Sequence, residues 1–177
     1  MSYSANSMPR KTTPRLDSDS LTQRQAEGVV LKQMGAERGL EFTPGRLRFR
    51  GRSFTVDGYA EHGDRIFLVE VWSRIGPAKA AQKHKVLTDI LKLATLTRLI
   101  QQERPAARVE CSIVFVDELA AQVLRNKSWG SLSAELFGIR TEVITISDEL
   151  RQAILAAQRT QDLRYAPDEG ELAASDE

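Results

Sequence analysis

The chain has 177 residues, enough for one domain with a core of its own, and its 41% hydrophobic and 28% charged residues are the balance of a globular protein. A net charge of +1 excludes a global basic field, so nucleic-acid binding would have to come from a local patch. A single cysteine, Cys111 in the apolar run VECSIVFV, excludes a disulfide framework and reads as a small buried residue in a reducing, cytoplasmic setting.

Taken in chain order, residues 1–18 are Ser, Thr, Pro and basic residues without periodicity and predict a disordered tail, with no apolar signal core. A domain over 19–161 is expected to follow. Ser20-Leu21-Thr22-Gln23 matches a capping box, which predicts a helix from residue 20 to about 34, stopped by Gly35. Short strands are expected over 47–50, 53–60 and 66–73. A long helix should span 78–102 and end ahead of Pro105. A buried strand is expected over 109–116. Residues 118–137 read as one or two short helices broken near Trp129-Gly130, with Trp129 a core or helix-packing residue. The last strand is expected over 142–146, and Asp148 should cap a final helix running to about 161. The acidic stretch 162–177 reads as a disordered tail. No segment is long enough to span a bilayer, so no membrane partner is expected.

This order, α-β-β-β-α-β-α-β-α, predicts an α/β fold. Its first strands form an antiparallel meander and its later ones join by parallel crossovers, giving a mixed β-sheet flanked by helices. Two histidines and one cysteine make no zinc constellation, and no phosphate loop, nucleophile elbow or dinucleotide fingerprint occurs.

Within the third strand, FLVEVW sets Glu70 in an apolar run, where an ionised carboxylate needs a partner. If Gly63-Asp64 is a Gly-first hairpin turn, Asp57 lies directly across from Glu70, with Cβ atoms roughly 5 Å apart. The other face of that hairpin would gather Phe54, Val56, Ala60, Phe67, Val69 and Val71. Two carboxylates so close repel by about 3 kcal/mol at an effective dielectric near 20. A raised pKa, a basic partner or a metal ion would each resolve the conflict. A divalent cation suits oxygen ligands best; the competing reading pairs Glu70 with a Lys or Arg.

Asp57, thirteen residues ahead of Glu70 in a hydrophobic strand that a helix follows, resembles the core of the PD-(D/E)XK nuclease superfamily. That superfamily includes restriction endonuclease-like enzymes and archaeal Holliday-junction resolvases, and the likeness covers about residues 20–147. It implies a restriction endonuclease-like sheet and Mg²⁺ or Mn²⁺ held by Asp57 and Glu70. Many members add a Glu from the first helix, which Glu27 matches on the helical side of Val30 and Met34. One departure is plain: Trp72 stands where the family has a Lys that orients the attacking water and stabilises charge on the phosphate. In related nucleases the following helix supplies such groups. Here Gln82, Lys85, Asp89 and Lys92 line one stripe beside Val86, Ile90 and Leu93. Lys85 is the leading substitute, ahead of Lys83 and Lys79, and Gln82 would hold substrate or a water.

Arg46, Arg48, Arg50 and Arg52 alternate with Leu47, Phe49 and Gly51, which at strand period puts all four arginines on one face. Beside a phosphodiester-cleaving site they would form a backbone-binding track for DNA; an edge strand guarded by charge is the other reading. The resulting expectation is a metal-dependent nuclease hydrolysing phosphodiester bonds in DNA, with a homodimer also admitted. The alternative, which Trp72 keeps open, is a catalytically inactive nuclease-fold protein that binds nucleic acid or a protein.

Overall fold

In the computed structural model, which describes residues 17–164, ten elements follow one another. They are α1 (Asp17–Arg38), β1 (Thr43–Phe49), β2 (Arg52–His62), β3 (Arg65–Trp72), α2 (Ala80–Glu103), β4 (Arg108–Phe115), α3 (Glu118–Arg125), α4 (Trp129–Leu136), β5 (Ile139–Val143) and α5 (Asp148–Arg164). One sheet holds the five strands in the order β1-β2-β3-β4-β5. β1/β2 and β2/β3 are antiparallel, whereas β3/β4 and β4/β5 are parallel. The expected mixed α/β sheet is therefore present, because only the short gaps can close as hairpins and the long ones must cross over. Helices α2, α3 and α4 cover one face around Leu68, Trp72, Leu93, Ile113 and Phe115. Helices α1 and α5 cover the other, around Val30, Met34, Val69, Val71, Val114 and Ile154. Among the described residues no helix is long and apolar enough to cross a membrane.

Several boundaries differ from the sequence expectation, each for a local reason. The first helix starts at Asp17, ahead of the Ser20 box, and passes through Gly35. It stops at Gly39, whose φ of 63° lets the Leu40 N–H return to the Gly35 carbonyl at 3.0 Å. Gly35 serves that turn differently, since a Cβ there would lie 2.5 Å from the Leu40 carbonyl oxygen. At α5 the capping side chain is Ser147, whose Oγ accepts from the Leu150 N–H at 3.3 Å, and not Asp148. The last strand begins at Ile139 opposite Cys111; Ile144 and Ile146 lie beyond its end, buried against the α1 side. The expected tails fall largely outside the described residues, but 17–18 and 162–164 are helical. Residue Asp117 joins three segments: its Oδ2 accepts from Ala120 N (3.2 Å) and Gly76 N (2.9 Å), and its Oδ1 meets Arg151 at 2.8 Å.

Two hairpins shape the site. The β2–β3 turn is Gly63-Asp64, and pairing from His62↔Arg65 to Gly58↔Val69 has the expected register. The β1–β2 turn is Arg50-Gly51, with φ of 49° and 75°, the pair of positive angles of a type I′ turn. This turn breaks the expected arginine row. Arg46 and Arg48 pair with Thr55 and Ser53 on one face, but Arg52 pairs with Phe49 and so shares the opposite face. Arg50 has left the strand and donates to Gln102 of α2 at 3.0 Å.

Between Thr43↔Tyr59 and Gly45↔Val56, β2 spends three residues where β1 spends two, a β-bulge at Asp57-Gly58. The bulge reverses the facing of everything before it in β2. Val56 and Phe54 consequently join the α2-side core, and the face expected to unite them with Val69 and Val71 is split.

The two helical glycines of α1 give a check on close approach. Gly35→Ala should destabilise the fold by about 1–3 kcal/mol through overpacking against Leu40. Gly28→Ala, where an added Cβ meets nothing within 4 Å, should stabilise it by about 0.5–1 kcal/mol. Urea midpoints that move in the same direction for both would contradict this packing.

Candidate functional site

The bulge delivers Asp57. Past Gly58↔Val69 the β2–β3 ladder stops, and Asp57 Oδ2 accepts the Val71 N–H at 2.8 Å. A side-chain carboxylate thus replaces a backbone acceptor, which pins it beside Glu70. The expected neighbourhood of these two residues is present. Glu70 is only 6% exposed. Glu27 of α1, half-buried, lines one open cavity of about 460 Å³ together with Asp57.

Electrostatics reflect this crowding. Burial and then the Asp57 charge push the Glu70 carboxyl up to about 8, against the opposing pull of Lys92. Burial and then Asp57 likewise raise Glu27 to about 7, while Lys85 and Arg24 pull it down. Asp89 is raised too, by burial, with Lys92 and Lys85 opposing. Burial works against the charge of Lys92, yet Glu70 and Asp89 outweigh it and hold the ammonium protonated.

The α2 stripe faces this cluster, but its members divide the work differently than expected. Lys92 Nζ lies 2.7 Å from Glu70 Oε1 and 3.3 Å from Asp89 Oδ1. It is the basic partner that the apolar strand demanded, and no site role was assigned to it or to Asp89 from sequence. The signal was there: a carboxylate and a lysine three apart, beside a packing face. Lys85 instead holds its Nζ 5.4 Å from the centre of the Trp72 ring, a cation–π contact. Gln82 is drawn into the start of α2, its Oε1 accepting from Lys79 N at 2.8 Å. Lys79 and Lys83 are exposed. Arg46 and Arg48 lie further out on the hairpin, and Arg50 and Arg52 are separated from them as described above. Trp129 is 68% exposed and not a core residue; it borders a shallow apolar cavity with Leu87, Leu91 and Phe137.

Whether these residues suit a divalent cation can be judged from their atoms. The donor set is all oxygen, as Mg²⁺ or Mn²⁺ prefers. Glu70 Oε1 is buried and already engaged by the Lys92 ammonium at 2.7 Å, so a metal ion would have to share that oxygen or use the other one. No three Asp, Glu, His or Cys side chains among the described residues stand close enough to hold a metal as arranged. The chemistry fits, and the carboxylates would have to draw together around an ion. Comparison with family models, curated proteins and solved structures returned no match.

The raised carboxyls fix a pH dependence. Glu70 and Glu27 bind protons more tightly in the folded chain than at their ordinary value of 4.5. Their favourable contribution is complete below pH 4.5 and is lost as pH rises through 7 and 8. Carboxylates held down by arginines, such as Asp117 and Glu142, titrate below that window. Stability to urea should therefore fall between pH 5 and about 8.5 in metal-free buffer, and Glu70→Gln should remove most of the fall. An unchanged slope in that variant would show that Glu70 is not protonated at neutral pH.

Proposed function

We propose that the chain is a metal-dependent nuclease that hydrolyses phosphodiester bonds in DNA, of the PD-(D/E)XK kind, acting in the cytoplasm. The observation that carries this reading is the bulge that sets Asp57 against buried Glu70, with Glu27 across a cavity open to solvent. Glu27, Asp57 and Glu70 would hold Mg²⁺ or Mn²⁺, which supplies charge neutralisation at the scissile phosphate and a more acidic bound water. Lys85 orients the attacking water: its ammonium sits above Trp72, the residue at the family's lysine position. Lys92 and Asp89 position Glu70. With its oxygen committed to Lys79, Gln82 has its amide NH₂ to offer a phosphate or a water.

A second reading is favoured by one observation. Lys92 already provides Glu70 with a cation, as it would in a scaffold that has given up its metal and binds DNA without cutting it.

Single-turnover cleavage of DNA with Mg²⁺ or Mn²⁺ separates the two. The wild-type chain should cut, and Asp57→Asn or Glu70→Gln should abolish cutting and weaken Mn²⁺ binding measured by calorimetry. Asp57→Asn is chosen because its amide oxygen can still accept from Val71. Lys85→Met should keep the metal and slow cleavage by about a hundredfold or more, while Lys83→Met should cut at nearly the wild-type rate. DNA binding without cleavage under either metal would give the second reading the site.

A further inference from the structure

Helix α1 presents Arg24, Gly28 and Lys32 at successive spacings of four, which puts them on one exposed stripe. Two cavities flank that stripe. The first, of about 460 Å³, descends to Glu27 and Asp57; the second, of about 630 Å³, runs toward Ser147, Glu149 and Leu150 at the start of α5. Arg24, Gly28 and Lys32 line both of them. The two cavities are thus halves of one groove that crosses α1 over Gly28, with a cation on either side of the saddle. Glu41 and Glu149, the acidic residues of the outer walls, each border one half only; the cations border both. Neither Arg24 nor Lys32 forms a salt bridge among the described residues.

Resting on the nuclease reading, we infer that this groove carries one strand of the DNA backbone across α1 into the Asp57–Glu70 site, with Arg24 and Lys32 on its phosphates. Eight residues of helix separate the two cations by about 12 Å along the α1 axis, so they flank a strand that crosses between them and each can meet one phosphate. Gly28 supplies the low point: nothing lies within 4 Å of where its Cβ would be, so the space above it belongs to whatever crosses the helix. The path also replaces the arginine row of β1, which the Arg50-Gly51 turn has broken.

The test is binding of a fluorescein-labelled DNA duplex with Ca²⁺ in place of Mg²⁺, read by anisotropy across a salt series. Arg24→Gln with Lys32→Gln should weaken binding at least tenfold and reduce the slope against log salt by about 1.8, the value for two phosphate contacts. Gly28→Leu keeps every charge and places its Cβ where nothing lies within 4 Å, so it should fold as the wild type does, checked by its thermal melt, and bind DNA several-fold more weakly. Arg46→Gln with Arg48→Gln should leave the slope unchanged. Wild-type affinity and slope in the α1 variants, or a slope lost in the Arg46/Arg48 variant instead, overturns the α1 path while leaving the nuclease reading standing. A wild-type chain that binds no DNA overturns that reading, and the path with it.

Discussion

The hydrogen bond from the Val71 N–H to Asp57 Oδ2 closes the end of the β2–β3 ladder with a side chain instead of a carbonyl. Without it, the bulge at Asp57-Gly58 would leave a backbone donor unpaired next to a buried strand, at a cost comparable to that of any lost buried hydrogen bond. With it, one carboxylate does two things: it completes the sheet and it holds a negative charge against Glu70. The displaced facing of Val56 and Phe54 follows from the same bulge, and the Asp57 charge adds to burial in raising the carboxyls of Glu70 and Glu27.

Helix α2 is the other half of the site, and its placement is fixed from a distance. Asp117 ties the loop ahead of α2, through Gly76, to the start of α3 and to Arg151 of α5. Those hydrogen bonds hold its carboxyl below the usual range although burial pushes the other way. Apolar packing of Val86, Ile90, Leu93 and Leu96 then sets which side of α2 faces the sheet. Asp89 lies at the edge of that packed face, so Lys92 can reach Glu70 while Lys85 stands over Trp72. The groove across α1 approaches the same carboxylates from the opposite layer, so both helix layers meet at this end of the sheet.

Element order, the β2–β3 register as far as Gly58↔Val69 and the nearness of Asp57 to Glu70 were legible because they depend on local signals: alternation, turn glycines and the lengths of connections. The Gly63-Asp64 turn set the register of one hairpin without knowledge of the rest. What sequence did not reveal depends on contacts between layers. The bulge is visible only once β1 is laid against β2. Strict alternation of arginines gives no hint that Arg50 takes a positive φ. Gly35 reads as a helix stop until Leu40 folds back over it. Lys92 was grouped correctly with its neighbours on the helix, yet its choice of Glu70 over solvent is made by burial in the assembled core.

The pairing of Lys85 with Trp72 has an optical consequence. Of the two indoles in the chain, Trp129 is open to water, whereas Trp72 is 5% exposed and has a buried Nε1–H with no acceptor among the described residues. A collisional quencher such as acrylamide silences the exposed fluorophore and leaves the interior one, whose emission is tuned by the ammonium above its ring. Movement of Lys85 off the ring would shift that emission, so Trp72, in the strand beside Glu70, reports where the Lys85 ammonium resides.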